Sequence, residues 1–331
     1  MKIRSEILAL NGYSSARKEF KGQQNIMLNA NESPFGDGIS NRYPDPFQEE
    51  LANKLSEIKN INPLNITLGN GSDELIDLII RVFLTPFKSK ALVIDPSFSM
   101  YEYLLNLNSV KCIKVPLDHD FDLDTESLLE ASLDAEMIFL CSPNNPTGNL
   151  LSKDRIYEIL DRFSGIVVVD EAYIDFSGDA GFAHEIANYN NLIVLQTFSK
   201  YWQLAGLRMG ICFSCREISE VLQRIKLPYN TNALSAQKAL EKLQDLKQVK
   251  KDAEYLIKER MRVENALKNK KEVLKVFKSD ANFILFEAKN ANEIYERLCS
   301  KGVVIRKVSK TLLRVSIGLE SENNAFLEVI F

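Results

Sequence analysis

IVVVDEAYIDFSGDAGFAHEIANYNNLIVLQTFSK (166–200) contains two short β-branched runs, IVVV (166–169) and LIVL (192–195), each followed at once by polar residues. A continuous apolar run without polar alternation reads as a strand covered on both faces, as in a parallel sheet flanked by helices. ALVI (91–94) and MIFL (137–140) have the same character. Segments 99–108, 124–132 and 152–163 carry helical periodicity, the last with Ser152 at the cap position and Ile156, Ile159, Leu160 and Phe163 on one face. This alternation predicts an α/β fold with a mainly parallel sheet. The runs continue into DPSFSMY, CSPNNPTGN, DEAY and QTFSK. Ligands in open α/β sheets bind beyond the carboxyl ends of the strands, so these continuations should meet in one crevice.

Working outward, residues 234–270 form a Lys- and Glu-rich helical region whose charges read as a solvated face. FILF (283–286), VVIR (303–306) and LLRVSIG (312–318), with a helix near 291–300, suggest a smaller α+β domain. The expected division is a large domain over 36–235, a small one formed by 1–35 with 255–331, and a connecting helix through 236–254. A hydrophobic content of 45% in 331 residues allows a substantial core, and a net charge of -4 argues against a nucleic-acid surface. The longest apolar run, LIDLIIRVFL (75–84), is interrupted by Asp77 and Arg81 and is too short to span a bilayer. The charged N-terminus has no signal-peptide core, so a cytoplasmic protein is expected.

Chemistry concentrates in TFSKYWQLAGLRMG (197–210), where Lys200 has Thr197 and Ser199 before it and Arg208 after it. An amine beside hydroxyls and a guanidinium suits a phosphate-bearing aldehyde: the amine forms a Schiff base while the other groups hold the phosphate.

The chain resembles the fold-type I pyridoxal-phosphate-dependent aminotransferases of class II, most closely their histidinol-phosphate branch. The resemblance rests on GYSSAR (12–17), LNANESPFG (28–36), RYPDP (42–46), GNGSDELI (69–76), PSFSMY (96–101), SPNNPTGN (142–149), VVVDEAYIDF (167–176), TFSK (197–200), AGLRMG (205–210) and LRVSIG (313–318), in the family's order. It implies a large domain with a mainly parallel seven-stranded sheet, a smaller α+β domain, pyridoxal 5'-phosphate as cofactor, and a homodimer acting on small molecules. The implied reaction passes an amino group between glutamate and imidazole-acetol phosphate. An aromatic aminotransferase or a threonine-phosphate decarboxylase-like enzyme remains as an alternative of the same fold. A regulatory module would need a DNA-binding segment, for which the 27 residues before LNANESP are too few.

The same resemblance assigns roles. Lys200 would carry the cofactor and move the proton, Asp170 would face the pyridine nitrogen, and Tyr173 and Asn145 would contact the ring oxygen. Gly71, Ser72 and Asp73 would offer backbone amides to the phosphate, with Thr197, Ser199 and Arg208 completing the cup and Tyr43 reaching it from the partner subunit. The carboxylates of Asp73 and Glu74 should then point away from that anion. Phe98 would stack on the ring. Arg314 would grip a carboxylate, Arg306 and Tyr13 a substrate phosphate, and Asn31 and Glu32 would line the pocket. One departure stands out: Tyr201, Trp202 and Gln203 occupy a turn where relatives carry small residues. If that turn needs glycine's backbone freedom at 203, the glutamine must supply it.

Other signals weigh less. GNGSDE lacks the third glycine of a dinucleotide fingerprint, and LDHDFDLDTESLLE (117–130) lacks the glycine and final acid of a calcium loop. Cys212 and Cys215 form a single CxxC within an apolar run, which reads as packing; His119 and His184 stand alone, and no metal site is expected.

Overall fold

Every apolar run that marked the large sheet is a strand in the computed structural model, which describes residues 2–12 and 26–330. The strands are β1 (Ile66–Asn70), β2 (Lys90–Asp95), β3 (Lys111–Pro116), β4 (Met137–Cys141), β5 (Ile166–Asp170), β6 (Leu192–Thr197) and β7 (Met209–Ser214). They lie in the order β1-β7-β6-β5-β4-β2-β3. Only β7 runs against the rest, pairing antiparallel with β1 and β6. β4 to β7 are buried along their whole length, which is why their sequences lack polar alternation.

Alternate residues of these strands enter two separate apolar clusters, one on each face. Ile138, Val167, Val169 and Val194 join one; Phe139, Val168, Ile193 and Leu195 join the other. Helices Glu49–Lys59, Lys153–Arg162 and Ala233–Gln244 cover the first face, and Gly71–Phe83, Met100–Leu107 and Arg216–Ile225 the second. Cys141 pairs with Asp170 and Asp170 with Leu195 in register. The carboxyl ends of β4, β5 and β6 are therefore level, and their polar continuations leave the sheet along one edge.

A second, antiparallel sheet contains β8 (Val273–Val276), β9 (Phe283–Ala288), β10 (Arg306–Lys307) and β11 (Leu312–Ser316), in the order β10-β11-β9-β8. It packs on helices Leu246–Lys268, Ala291–Ser300 and Glu320–Val329 through a third cluster that includes Val263, Ile294 and Phe326. Helix Leu246–Lys268 connects the two sheets: Val249 enters the core of the large one and Val263 that of the small one.

The structure departs from the sequence reading in several places. The region 234–270 is two helices, because the Asp245 carboxylate accepts a hydrogen bond from the Gln248 N–H and starts a new one. Ser152 makes no side-chain cap bond, and its own N–H donates to Asp122. Of VVIR only Arg306 pairs in a strand. Residues 2–12 lie on the large sheet's helices instead of joining the small domain. Ile7 is buried beside Val82 and Leu222, and the Arg4 guanidinium donates to the Arg81 and Leu84 carbonyls that helix Gly71–Phe83 leaves unpaired.

The acidic loop is structural: Asp118 and Asp122 pair with Arg155, and Asp124 caps helix Thr125–Ala131. Cys212 and Cys215 are buried free thiols. Among the described residues, no cluster of metal-ligating side chains occurs and no helix is long and apolar enough to cross a membrane.

Candidate active site

The level ends of β4, β5 and β6 open onto a cavity of about 280 Å³. Asp170, the last residue of β5, forms its floor and is fully buried. Its Oδ2 accepts a hydrogen bond from the Tyr101 hydroxyl at 2.7 Å and its Oδ1 one from the Ala172 N–H at 3.0 Å. Burial pushes this carboxyl up to about 6, against the opposing pull of the Tyr101 hydroxyl. An ionised carboxylate here needs a cation in front of it.

Lys200 projects into the same cavity from the turn after β6, with its Nζ 5.5 Å from the centre of the Tyr173 ring. Burial, aided by the Arg314 and Arg208 guanidinium groups, holds its ammonium below the ordinary lysine range. That favours the neutral amine, the nucleophilic form. The turn is closed by the Thr197 hydroxyl, which accepts from the Ser199 N–H and donates to the Met209 carbonyl. Gln203 adopts φ +63°, the left-handed geometry its position demands. Its side chain compensates by donating to Asp252 at 3.0 Å and accepting from Lys242 at 2.8 Å. Because a side chain costs about 1 kcal/mol in that geometry, Gln203→Ala should be less stable than Gln203→Gly by about that amount in urea unfolding. Equal stabilities would show that the turn relaxes.

Opposite Lys200 lies the N-terminus of helix Gly71–Phe83, with Ser72 and Asp73 on the cavity wall. Gly71 has φ +77°, and a Cβ there would stand 2.6 Å from Arg208 Nη2. A Cβ on Gly210 would lie 2.5 Å from the Ser72 nitrogen. A side chain at Gly71 would displace the Arg208 guanidinium, and one at Gly210 would collide with the backbone that opens the helix. Arg208 Nη1 donates to Ser199 Oγ at 3.4 Å, so guanidinium, hydroxyl and free helix amides face one another. The expectation about the two acids holds for Glu74, which turns back to accept from the Asn70 N–H and the Asn230 amide. It fails for Asp73, whose carboxylate stays in the cup 3.5 Å from Arg208, the nearest positive charge.

Asn145 and Tyr173 converge, the amide donating to the phenol oxygen at 3.5 Å. The Asn145 side-chain Oδ1 accepts a hydrogen bond from Arg314, whose guanidinium also lies 5.1 Å from the centre of the Phe283 ring. Phe98 lines the cavity. Arg306 is exposed and sits directly opposite Arg314 across β10 and β11. Two like charges opposite each other are destabilising unless an anion lies near them. Tyr43 and Asn31 do not line the cavity; Tyr43 is stacked on Tyr229 at 4.5 Å and Asn31 is exposed. Glu32 pairs with Arg42 instead of lining the pocket. Tyr13 falls outside the described residues.

Cys141, Ala172 and Ala205 also line the cavity, and Tyr101 supports it from behind. Their signal was position alone: each stands next to a strand end or a motif residue. The donor set fits pyridoxal phosphate. The buried Asp170 suits a protonated ring nitrogen, the glycine cradle with Arg208 and Ser199 suits a phosphate, and Lys200 suits the aldehyde between them.

The aminotransferase class I and II family model matches residues 14–330. A histidinol-phosphate aminotransferase from Parabacteroides distasonis is 45% identical over 99% of this chain and 96% of its own length. The solved histidinol-phosphate aminotransferase from Clostridium acetobutylicum superposes with a TM-score of 0.82 at 27% identity, over 88% of this chain and 90% of that one. The fold also matches the Sinorhizobium meliloti histidinol-phosphate aminotransferase solved with pyridoxal 5'-phosphate, with a TM-score of 0.81 at 24% identity over 88% and 83% of the two chains.

Proposed function

We propose a specific reaction for this chain, which belongs to the class I and II aminotransferase family: reversible transfer of an amino group between glutamate and imidazole-acetol phosphate, giving histidinol phosphate. Pyridoxal 5'-phosphate is the cofactor. The observation that carries this reading is the meeting of Lys200, Asp170 and two arginines in one cavity of a chain 45% identical to a histidinol-phosphate aminotransferase. When bound, the cofactor supplies an aldehyde for the donor's nitrogen and a ring that accepts the electron pair left at the substrate Cα.

The protein's own groups do the rest. Lys200 Nζ would hold the cofactor and, when free, would take the proton from the substrate Cα; its depressed basicity suits both tasks. The Asp170 carboxylate would keep a proton on the ring nitrogen, while Tyr173 and Asn145 would donate to the ring oxygen. Burial pushes the Tyr173 phenol above its ordinary range, so it remains a donor. Arg208, Ser199 and the amides of Ser72 and Asp73 hold the phosphate.

Arg314 grips the carboxylate of glutamate, a group that histidinol phosphate lacks. The latter's phosphate approaches the Arg306 side of the arginine pair. A homodimer in the cytoplasm completes the proposal, with Tyr43 offered to the partner's cofactor. Leu28 and Phe35, 88% and 85% exposed, are apolar surface that a second copy would cover.

Half-reactions followed by absorbance test the assignment. Glutamate and histidinol phosphate should each convert the cofactor to its amine form, and phenylalanine should do so more slowly. If no amino donor acts, the aminotransferase reading falls. Fastest conversion by phenylalanine would retire the histidinol-phosphate assignment and leave the chemistry standing.

A further inference from the structure

Helix Met100–Leu107 begins two residues after Phe98, and the same turn sets Tyr101 behind the cavity wall, its N–H donating to the Phe98 carbonyl at 3.2 Å. Tyr101 is completely buried. Its ring stacks on Phe139 at 5.0 Å and meets Phe98 edge-on at 5.5 Å. A phenylalanine would fill that slot equally well. The hydroxyl therefore needs its own reason, since burying one without a partner is costly. Its partner is Asp170, at 2.7 Å.

We propose that Tyr101 is a positioning residue for this reaction: its hydroxyl fixes the rotamer of the Asp170 carboxylate and keeps it ionised toward the cofactor ring. This rests on the reading of Asp170 as the group facing the ring nitrogen. The Tyr101 hydroxyl and the Ala172 N–H occupy one carboxylate oxygen each, which leaves a single orientation. The other charged or titratable groups facing Asp170 cannot replace this bond. Asp73, from helix Gly71–Phe83, repels the carboxylate; Lys200, beyond β6, attracts it from across the cavity. Cys141 at the end of β4 and Tyr173 after β5 are both held protonated by burial. One turn of chain, PSFSMY, thus supplies a face for the ring through Phe98 and the support for its nitrogen through Tyr101.

The test compares the full-length chain, without added cofactor, with its Asp170→Asn variant by thermal melting across pH. The midpoint of the stability difference reports the ionisation of Asp170. In a Tyr101→Phe background that midpoint should rise by about one to two pH units, the size of a lost hydrogen bond to a charged group. In the loaded enzyme, Tyr101→Phe should lower kcat about ten- to a hundredfold in both half-reactions, with KM for glutamate nearly unchanged. An unmoved midpoint, or an unchanged kcat, would overturn the proposal. If Tyr101→Phe fails to fold and Tyr101→Phe with Asp170→Asn folds, the unsupported carboxylate is the cause and the proposal stands. Failure of both to fold assigns Tyr101 to packing alone and overturns it. The melting series needs no cofactor, so its outcome is separate from that of the half-reactions.

Discussion

Replacing Lys200 by alanine is expected to lower turnover by about ten-thousandfold or more, without lowering the melting temperature of the cofactor-free chain. A positioned acid–base group contributes about a hundred- to ten-thousandfold in rate, and this amine also provides the covalent attachment. Among the described residues no other lysine lines the cavity. The buried Lys226 donates to the Leu68 carbonyl and does not line the cavity.

The stability expectation follows from the same environment. Burial between Arg314 and Arg208 depresses the lysine's proton affinity in the fold relative to the unfolded chain. The folded state therefore binds fewer protons in the window below the ordinary lysine value, and stability there rises with pH. At neutral pH the ammonium is a burden on the fold, and the alanine variant sheds it. Rate measurements paired with calorimetry check both halves. Activity within about tenfold of the parent would mean that another group carries the chemistry.

Much of the cavity lining was legible because its residues follow strands that the sequence marks clearly. IVVV, short and β-branched throughout, reads as a buried strand, and its next residue is Asp170; LIVL likewise delivers Thr197, Ser199 and Lys200. β1, β3 and β8 were missed because their runs are short or mixed with polar residues, and β7 because MGICF reads as packing around its cysteines. β3 in particular lies at the sheet edge, where KCIKVP is only partly covered. The position of residues 2–12 depends on Arg4 finding two helix-end carbonyls, a long-range contact with no local pattern.

Tyr101 and Asp73 illustrate the same limit inside the site. Motif spacing placed Asp73 at the phosphate cup and left Tyr101 without a role, because which way a side chain turns depends on the partner it finds. Tyr101 found a buried carboxylate and Asp73 the Arg208 guanidinium, each brought close by tertiary packing. Gln203 is the converse case: its backbone angle was predictable from the turn, and only its partners, Asp252 and Lys242, were not.

Asp170→Asn is expected to move activity and stability in opposite directions. Asparagine keeps the shape of the site. Its carbonyl can accept from the Ala172 N–H, and the Tyr101 hydroxyl can rotate to accept from the new amide. Nothing is then left to hold a proton on the cofactor ring, and breaking a buried ion pair costs about 3–5 kcal/mol. At 1.36 kcal/mol per decade this predicts a loss of about a thousandfold in kcat.

Without cofactor the sign reverses. The folded carboxyl keeps its proton up to about pH 6, against 3.8 for an unburied aspartate. Between those values the folded chain binds more protons than the unfolded one, so its stability falls as pH rises and the loss is complete above about pH 6. Two pH units correspond to roughly 3 kcal/mol. The asparagine variant, which does not ionise, should match the parent near pH 4 and exceed it by up to roughly that amount at pH 8, read as a higher melting temperature. A variant inactive but no more stable than the parent at pH 8 would show that the Asp170 charge is already compensated in the empty site. A variant of near-parental activity would remove Asp170 from the chemistry altogether.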